Sequence, residues 1–176
     1  MSAMRKGLLL GALQLALVLS LGCKLMYDRM TRPRGWALAE IYDPELPIRG
    51  RYLSQRLRLP AEGFTYKEWT GNQQALSEWF LNREWAYLEV HNGQLIAKPE
   101  GSGSGGWFHL HKNRDATIVA ISEEPVLVFI PEHAEIPSLK PGQEMWVEVT
   151  VPAKGPPRPI RIAIKKDGAL TPLKLN

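Results

Sequence analysis

Hydrophobic and polar positions divide this chain into two regimes. From residue 7 to 27 the chain is apolar, interrupted only by Gln14, Ser20, Lys24 and a few small residues. As a helix this stretch is about 31 Å long at 1.5 Å per residue, the thickness of a bilayer's hydrocarbon core. Lys24 lies near the far end, where its stem can reach the interface, and Tyr27 suits the same depth. Beyond residue 35 the pattern changes to short alternating segments punctuated by Pro, Gly, Asn and Asp. Residues 36–42 place Trp36, Leu38, Glu40 and Tyr42 on one face of a strand and Ala37, Ala39 and Ile41 on the other. Residues 51–59 place Leu53, Leu57 and Leu59 on a face with Arg51 and Gln55, opposite Tyr52, Ser54, Arg56 and Arg58.

The clearest hairpin joins residues 85–90 to 94–98 through His91-Asn92-Gly93, because Asn-Gly tolerates the positive φ of a tight turn. Further strands are expected at 107–111, 117–121, 126–130, 145–151 and 160–165. Pro141-Gly142, Gly155-Pro156-Pro157 and Asp167-Gly168 punctuate them. Residues 72–80 are the best downstream helix, with Ala75, Leu76, Trp79 and Phe80 at helical spacing. Many short strands predict a mainly β fold: a small antiparallel sandwich or partly open barrel with one short helix, preceded by a single transmembrane helix. The expected domains are a cytoplasmic start at 1–6, an anchor at 7–27, a basic tether at 28–35 and a β-rich domain at 36–176.

Composition agrees with this division. Fourteen Pro and fifteen Gly beside six Trp and five Tyr favour turns and strands over long helices. The net charge of +4 is uneven, since the first thirty residues contribute +3 and the rest only +1. A nucleic-acid binder would carry its basic excess on the folded domain, so none is expected as a partner. The one cysteine, Cys23, excludes an intramolecular disulfide and a thiolate metal cluster.

Two other fates compete with a retained anchor. Ser20-Leu21-Gly22 partly offers the small-x-small site of a cleaved signal peptide. Gly22-Cys23 matches the end of a lipoprotein signal, but Ser20 stands where that signal has leucine. Arg5 and Lys6 before an apolar run give the layout of an export signal, placing the β-rich domain outside the cytoplasm. Lys24, Arg29, Arg32 and Arg34 pull the charge balance the other way.

The candidate chemistry is sparse. Glu100-Gly101-Ser102-Gly103-Ser104-Gly105-Gly106 lacks the Gly-Lys-Ser/Thr of a phosphate-binding loop and reads as a linker between strands. His109 and His111 share a strand face and could donate two metal ligands, with His91, His133 or a carboxylate as a third; plain strand histidines are the alternative. Ser54 with Lys112, Lys165 or Lys166 would make a serine–lysine hydrolase, although Ser54 lies within a strand rather than on an exposed turn. Arg49, Arg51, Arg56 and Arg58 either meet anionic headgroups or pair with Glu40, Asp43 and Glu45 on a solvated face. No cofactor or metal is expected.

Asp43-Pro44, Ile48-Arg49-Gly50 and Tyr52 resemble the opening of the bacterial family named for its GDYXXLXY motif. Arg51 stands where that motif has Asp, Gln55 where it has Leu, and Leu57 where it has Tyr. Phe129-Ile130-Pro131-Glu132 resembles the family's Phe-x-Pro-Glu segment, and residues 145–173 resemble its closing strands. The resemblance implies a membrane-tethered extracytoplasmic domain without assigned catalytic residues. It singles out Asp43, Pro44, Arg49, Gly50, Tyr52, Phe129, Pro131 and Glu132 as structural or interaction positions. The expected function is that of an accessory or interaction protein anchored in the inner membrane by residues 7–27 and acting with a protein partner there. A membrane-bound serine hydrolase acting on envelope peptides is the second reading.

Overall fold

The computed structural model describes residues 3–43, 51–68, 79–131 and 139–173. The chain divides into two compact units, Met1–Arg32 and Pro33–Asn176.

The first unit holds α1 (Ala3–Thr31). Its stretch Lys6–Thr31 is long and apolar enough to cross a membrane, and none of its most apolar window is buried against protein. An uncovered apolar helix of this length needs lipid or another apolar partner around it. Two hydroxyls that would otherwise burden it are satisfied internally: Ser20 Oγ donates to the Leu17 carbonyl and Thr31 Oγ1 to the Tyr27 carbonyl, both at 2.8 Å. The Asp28–Arg32 ion pair, one helical turn apart, marks the carboxyl end as polar.

The second unit is built from ten strands: β1 (Arg34–Asp43), β2 (Arg51–Pro60), β3 (Arg83–His91), β4 (Gln94–Lys98), β5 (Gly105–Lys112), β6 (Ile118–Ser122), β7 (Val126–Ile130), β8 (Gln143–Thr150), β9 (Arg158–Lys166) and β10 (Ala169–Pro172). Half of the chain is strand, so the mainly β expectation holds. Of the two architectures expected, the barrel is the one formed, and it closes. Six strands run round in the order β1, β4, β3, β5, β6, β2, and β2 pairs back with β1. β8, β9 and β10 extend from the other edge of β1, while β7 extends from β2. Neighbours are antiparallel except β1 and β4, which meet where Trp36 N–H donates to the Gly93 carbonyl at 2.9 Å.

Alternation fills the barrel from each wall. Ala37 and Ala39 of β1, Leu53, Leu57 and Leu59 of β2, Ala86 and Leu88 of β3, and Phe108 and Leu110 of β5 are all in one buried core. The alanine face of β1 therefore points inward, while Trp36 and Leu38 are half-buried on the outside. Arg161 covers Trp36 there, with its guanidinium carbon 5.4 Å from the ring centre. The expected hairpin is present as β3–β4, with Asn92 and Gly93 at φ 51° and 77°. Asp167 and Gly168 form the same kind of turn, at φ 50° and 83°, leading into β10.

Most of the expected 72–80 helix lies outside the described residues. Its last part, Trp79 and Phe80, is helical, and the helix runs to Leu81. Trp79 docks on the barrel wall, but Phe80 is 69% exposed, so the two do not share a buried face.

Candidate functional site

β2 and β7 bring two of the singled-out positions together. Tyr52 is the direct cross-strand partner of Phe129, and their rings meet edge to face at 5.6 Å. Alternation in β7 buries Val126, Val128 and Ile130 and turns Leu127 and Phe129 outward, 44% and 53% exposed. These two large apolar side chains and the half-buried Tyr52 form an outward apolar row on β7 and β2. Pro131 follows the strand and is half-buried. Asp43 ends β1 opposite Ser54. Pro44, Arg49, Gly50 and Glu132 lie outside the described residues.

A second apolar group occupies the outer face of β3 and β5. Trp85 and Trp107 are cross-strand partners whose rings meet edge to face at 5.5 Å, each a little over two-fifths exposed. Arg83 lies over Trp107, its guanidinium carbon 4.2 Å from the ring centre, and it also donates to Glu123 at 2.8 Å. Sequence reading did not single out this pair. Its signal was available in the alternation, since Trp85 and Trp107 each adjoin an inward residue, Ala86 and Phe108.

His109 and His111 do share an outward face of β5, as their spacing predicts. What covers them is Trp79. It stacks on His109 at 3.7 Å and meets His111 edge-on at 5.5 Å. His109 Nδ1–H donates to the Trp79 carbonyl at 3.1 Å, which fixes the tautomer when the ring is neutral. No group of three His, Cys, Asp or Glu side chains able to hold a metal ion occurs among the described residues. Burial pushes the His109 imidazole below its ordinary value; the bond to Trp79 and Glu123 oppose this, and Arg83 and Arg56 add to it. Burial likewise lowers His111, helped by Arg58 and His109 and opposed by Glu40.

These shifts carry a pH dependence. Because the folded protein holds both rings neutral below their free value near 6.5, the unfolded chain binds more protons under that pH. Their contribution to stability is complete above about pH 6.5 and is lost as pH falls through the folded values. The urea midpoint of the full-length chain is therefore expected to fall between pH 7 and pH 5, and the double variant His109→Gln, His111→Gln to flatten that decline. An unchanged slope in the variant would assign the effect to other groups.

The remaining candidates are separated. Lys112 is held protonated by an ion pair with Glu68 at 2.7 Å, which raises its proton affinity. Along the ladders Lys112 lies level with the end of β2, about seven residues or 23 Å from Ser54 at the usual strand rise. Lys165 rests its ammonium on the Trp146 ring at 4.5 Å. Ser54 is buried between its ladder partners Asp43 and Leu127. Arg58 donates to Glu40 at 2.8 Å and to Asn113 at 2.9 Å, as a paired polar face predicts. The glycine-rich stretch is more than a linker. Ser104 is buried with its hydroxyl on the Gly155 carbonyl at 2.8 Å, and Gly105 and Gly106 begin β5.

Gln55 is a polar residue at a core position of β2. It faces inward, fully buried, with Nε2 against Met145 Sδ and Oε1 without a hydrogen-bond partner. A buried amide oxygen left bare costs on the order of 1–3 kcal/mol. Gln55→Leu is expected to raise stability by about 1 kcal/mol in urea unfolding. A loss of stability would show that the amide has a role the packing does not reveal.

No family model, curated protein or solved structure matches this chain.

Proposed function

We propose that this chain is an accessory module tethered to the inner membrane, its barrel outside the cytoplasm, acting through a protein partner in that membrane. The observation that carries the reading is the outward row of Leu127 and Phe129 beside Tyr52, exposed on a domain that has its own closed core. The tether supports it. Only residues 32 and 33 separate α1 from β1 along the chain. The resemblance to the GDYXXLXY family supports the same role, because two of its marker positions, Tyr52 and Phe129, form that row.

The test is co-purification of the full-length chain from its native membrane in mild detergent. The wild type is expected to bring down a multi-pass protein in near-stoichiometric amount, and Leu127→Glu, Phe129→Glu to lose at least about nine-tenths of it, as for a hot-spot pair. Both residues are outward, so the variant keeps its fold and its urea midpoint. Location is read separately. In a Cys23→Ser background, the exposed Lys154→Cys should react with a membrane-impermeant maleimide without breaking the inner membrane. A lone monomer, or an unchanged partner yield, would overturn the accessory role; protection of the new cysteine would overturn the location.

A further inference from the structure

Alternation along β5 leaves a gap in the barrel's inner surface. Phe108 and Leu110 point inward and are buried, so Gly106 holds the next inward position toward the strand's start. It has no side chain to fill that place. A Cβ built there would meet one atom within 4 Å, Phe108 Cε2 at 3.7 Å. Its partner across β3 is Ala86, so two of the smallest residues face each other. The space that remains is a cavity of about 230 Å³ at the barrel end where β5 begins and β6 finishes.

The cavity's lining is mostly apolar. Leu57, Leu88 and Phe108 come from the core, Val126 and Leu127 from β7, and Trp107 from the exposed aromatic pair. Pro125, Pro156, Pro157 and Pro159 complete the wall and bring no N–H groups. Ser122 supplies the side-chain donor. Its Oγ accepts the Leu57 N–H at 2.9 Å, which leaves its own O–H to give. Among the described lining residues Glu124 is the one carboxylate, and none is lysine, arginine or histidine.

The walls are also held in place without a ligand. Ser104 O accepts the Leu88 N–H at 2.9 Å while its hydroxyl ties to Gly155, joining the glycine-rich stretch to the proline loop. A preformed apolar space at a barrel mouth, with a single polar handle, is the usual form of a small-molecule site.

We propose that this cavity binds a small uncharged molecule with an alkyl or single-ring body and one neutral oxygen acceptor for Ser122. An apolar cavity of about 150 Å³ takes up benzene, so this one suits a body of roughly nine non-hydrogen atoms. An anion is disfavoured, because it would meet Glu124 and no cation. The site shares Leu127 with the outward row of β7, and its test reads ligand binding rather than partner capture.

Acetophenone and benzoate make the test, since each has about nine non-hydrogen atoms and they differ chiefly in charge. The full-length chain in lipid nanodiscs, labelled at Leu and Val methyl groups, is titrated with each compound and followed by NMR. Acetophenone is expected to give saturable shifts at the Leu57, Leu88 and Val126 methyls, and benzoate to bind at least about tenfold more weakly. Gly106→Val, which puts a side chain into open space, should remove the saturable shifts while the remaining spectrum stays dispersed. Shifts that rise linearly without saturation, equal binding of benzoate, or unchanged binding in a folded Gly106→Val would each overturn the proposal. The comparison of the two compounds on wild-type protein needs no variant and decides the matter even where Gly106→Val does not fold.

Discussion

Asn82→Ala is expected to remove roughly 2–4 kcal/mol of stability, read as a fall in the urea midpoint of the full-length chain. Asn82 is fully buried, and its amide serves both main-chain groups of Lys67: Oδ1 accepts the Lys67 N–H at 2.9 Å and Nδ2 donates to the Lys67 carbonyl at 3.0 Å. Alanine takes both bonds from the Lys67 main chain, at about 0.5–1.5 kcal/mol each, and leaves a gap at the fully buried position of the Asn82 side chain. The Asn82 carbonyl accepts the Leu110 N–H at 2.8 Å, so the same residue is stitched to β5 by its backbone. Three residues before it, Trp79 covers His109. Loosening residues 79–82 should therefore expose both histidines, and the pH dependence of stability should weaken in the same variant. Asn82→Asp sharpens the reading: it keeps an acceptor for the Lys67 N–H but sets an oxygen against the Lys67 carbonyl. It is expected to be no more stable than the alanine variant. A midpoint within error of wild type for Asn82→Ala would mean that water replaces the amide.

Much of the strand layout is legible from local pattern, because a strand's two faces repeat every two residues. Leu53, Leu57 and Leu59 mark the inward face of β2, and Asn92-Gly93 marks the β3–β4 turn. The assignment of faces is less legible where both are apolar. In β1 the larger side chains, Trp36 and Leu38, face outward and the alanines face the core. Hydrophobicity alone would reverse them, and only the narrow space inside a six-stranded barrel decides otherwise. β10 escaped notice because all four of its residues are exposed and it ends in Pro172, so it has neither alternation nor a buried face. Closure could not be read at all. It depends on β1 meeting β4, with Trp36 opposite Gln94, as well as pairing with β2, and no local window holds both contacts.

The same division applies to the candidate sites. Tyr52 and Phe129 could be marked one by one, but their contact follows from the β2–β7 register, which no local window contains. The shared face of His109 and His111 follows from their spacing. Their covering by Trp79 does not, because it is set by a helical turn thirty residues upstream of His109. The cavity is the least legible feature, since it arises from a missing side chain at Gly106, and an absence carries no hydrophobic signal.

Gly105 and Gly106 should respond in opposite ways to a single methyl group, although they are adjacent in the glycine-rich stretch. At Gly105 a Cβ would come within 2.8 Å of the Ala86 carbonyl oxygen and 3.1 Å of Trp85 Nε1. The carbonyl belongs to the stretch of β3 paired with β5, where Ala86 stands opposite Gly106, so it cannot withdraw without disturbing that ladder. Overpacking of this kind costs about 1–3 kcal/mol, and loss of a ladder bond adds to it. Gly105→Ala is thus expected to lower the urea midpoint by an amount equivalent to roughly 3 kcal/mol and to disturb the Trp85–Trp107 edge contact, seen as a change in near-ultraviolet circular dichroism. At Gly106 the added methyl has only the Phe108 ring at ordinary contact distance. Gly106→Ala gains because alanine restricts the unfolded chain more than glycine does, by about 0.4–1 kcal/mol. The pair separates two explanations for the glycines. If flexibility were their purpose, both substitutions would act alike; if close approach at 105 and open space at 106 are the causes, the signs differ.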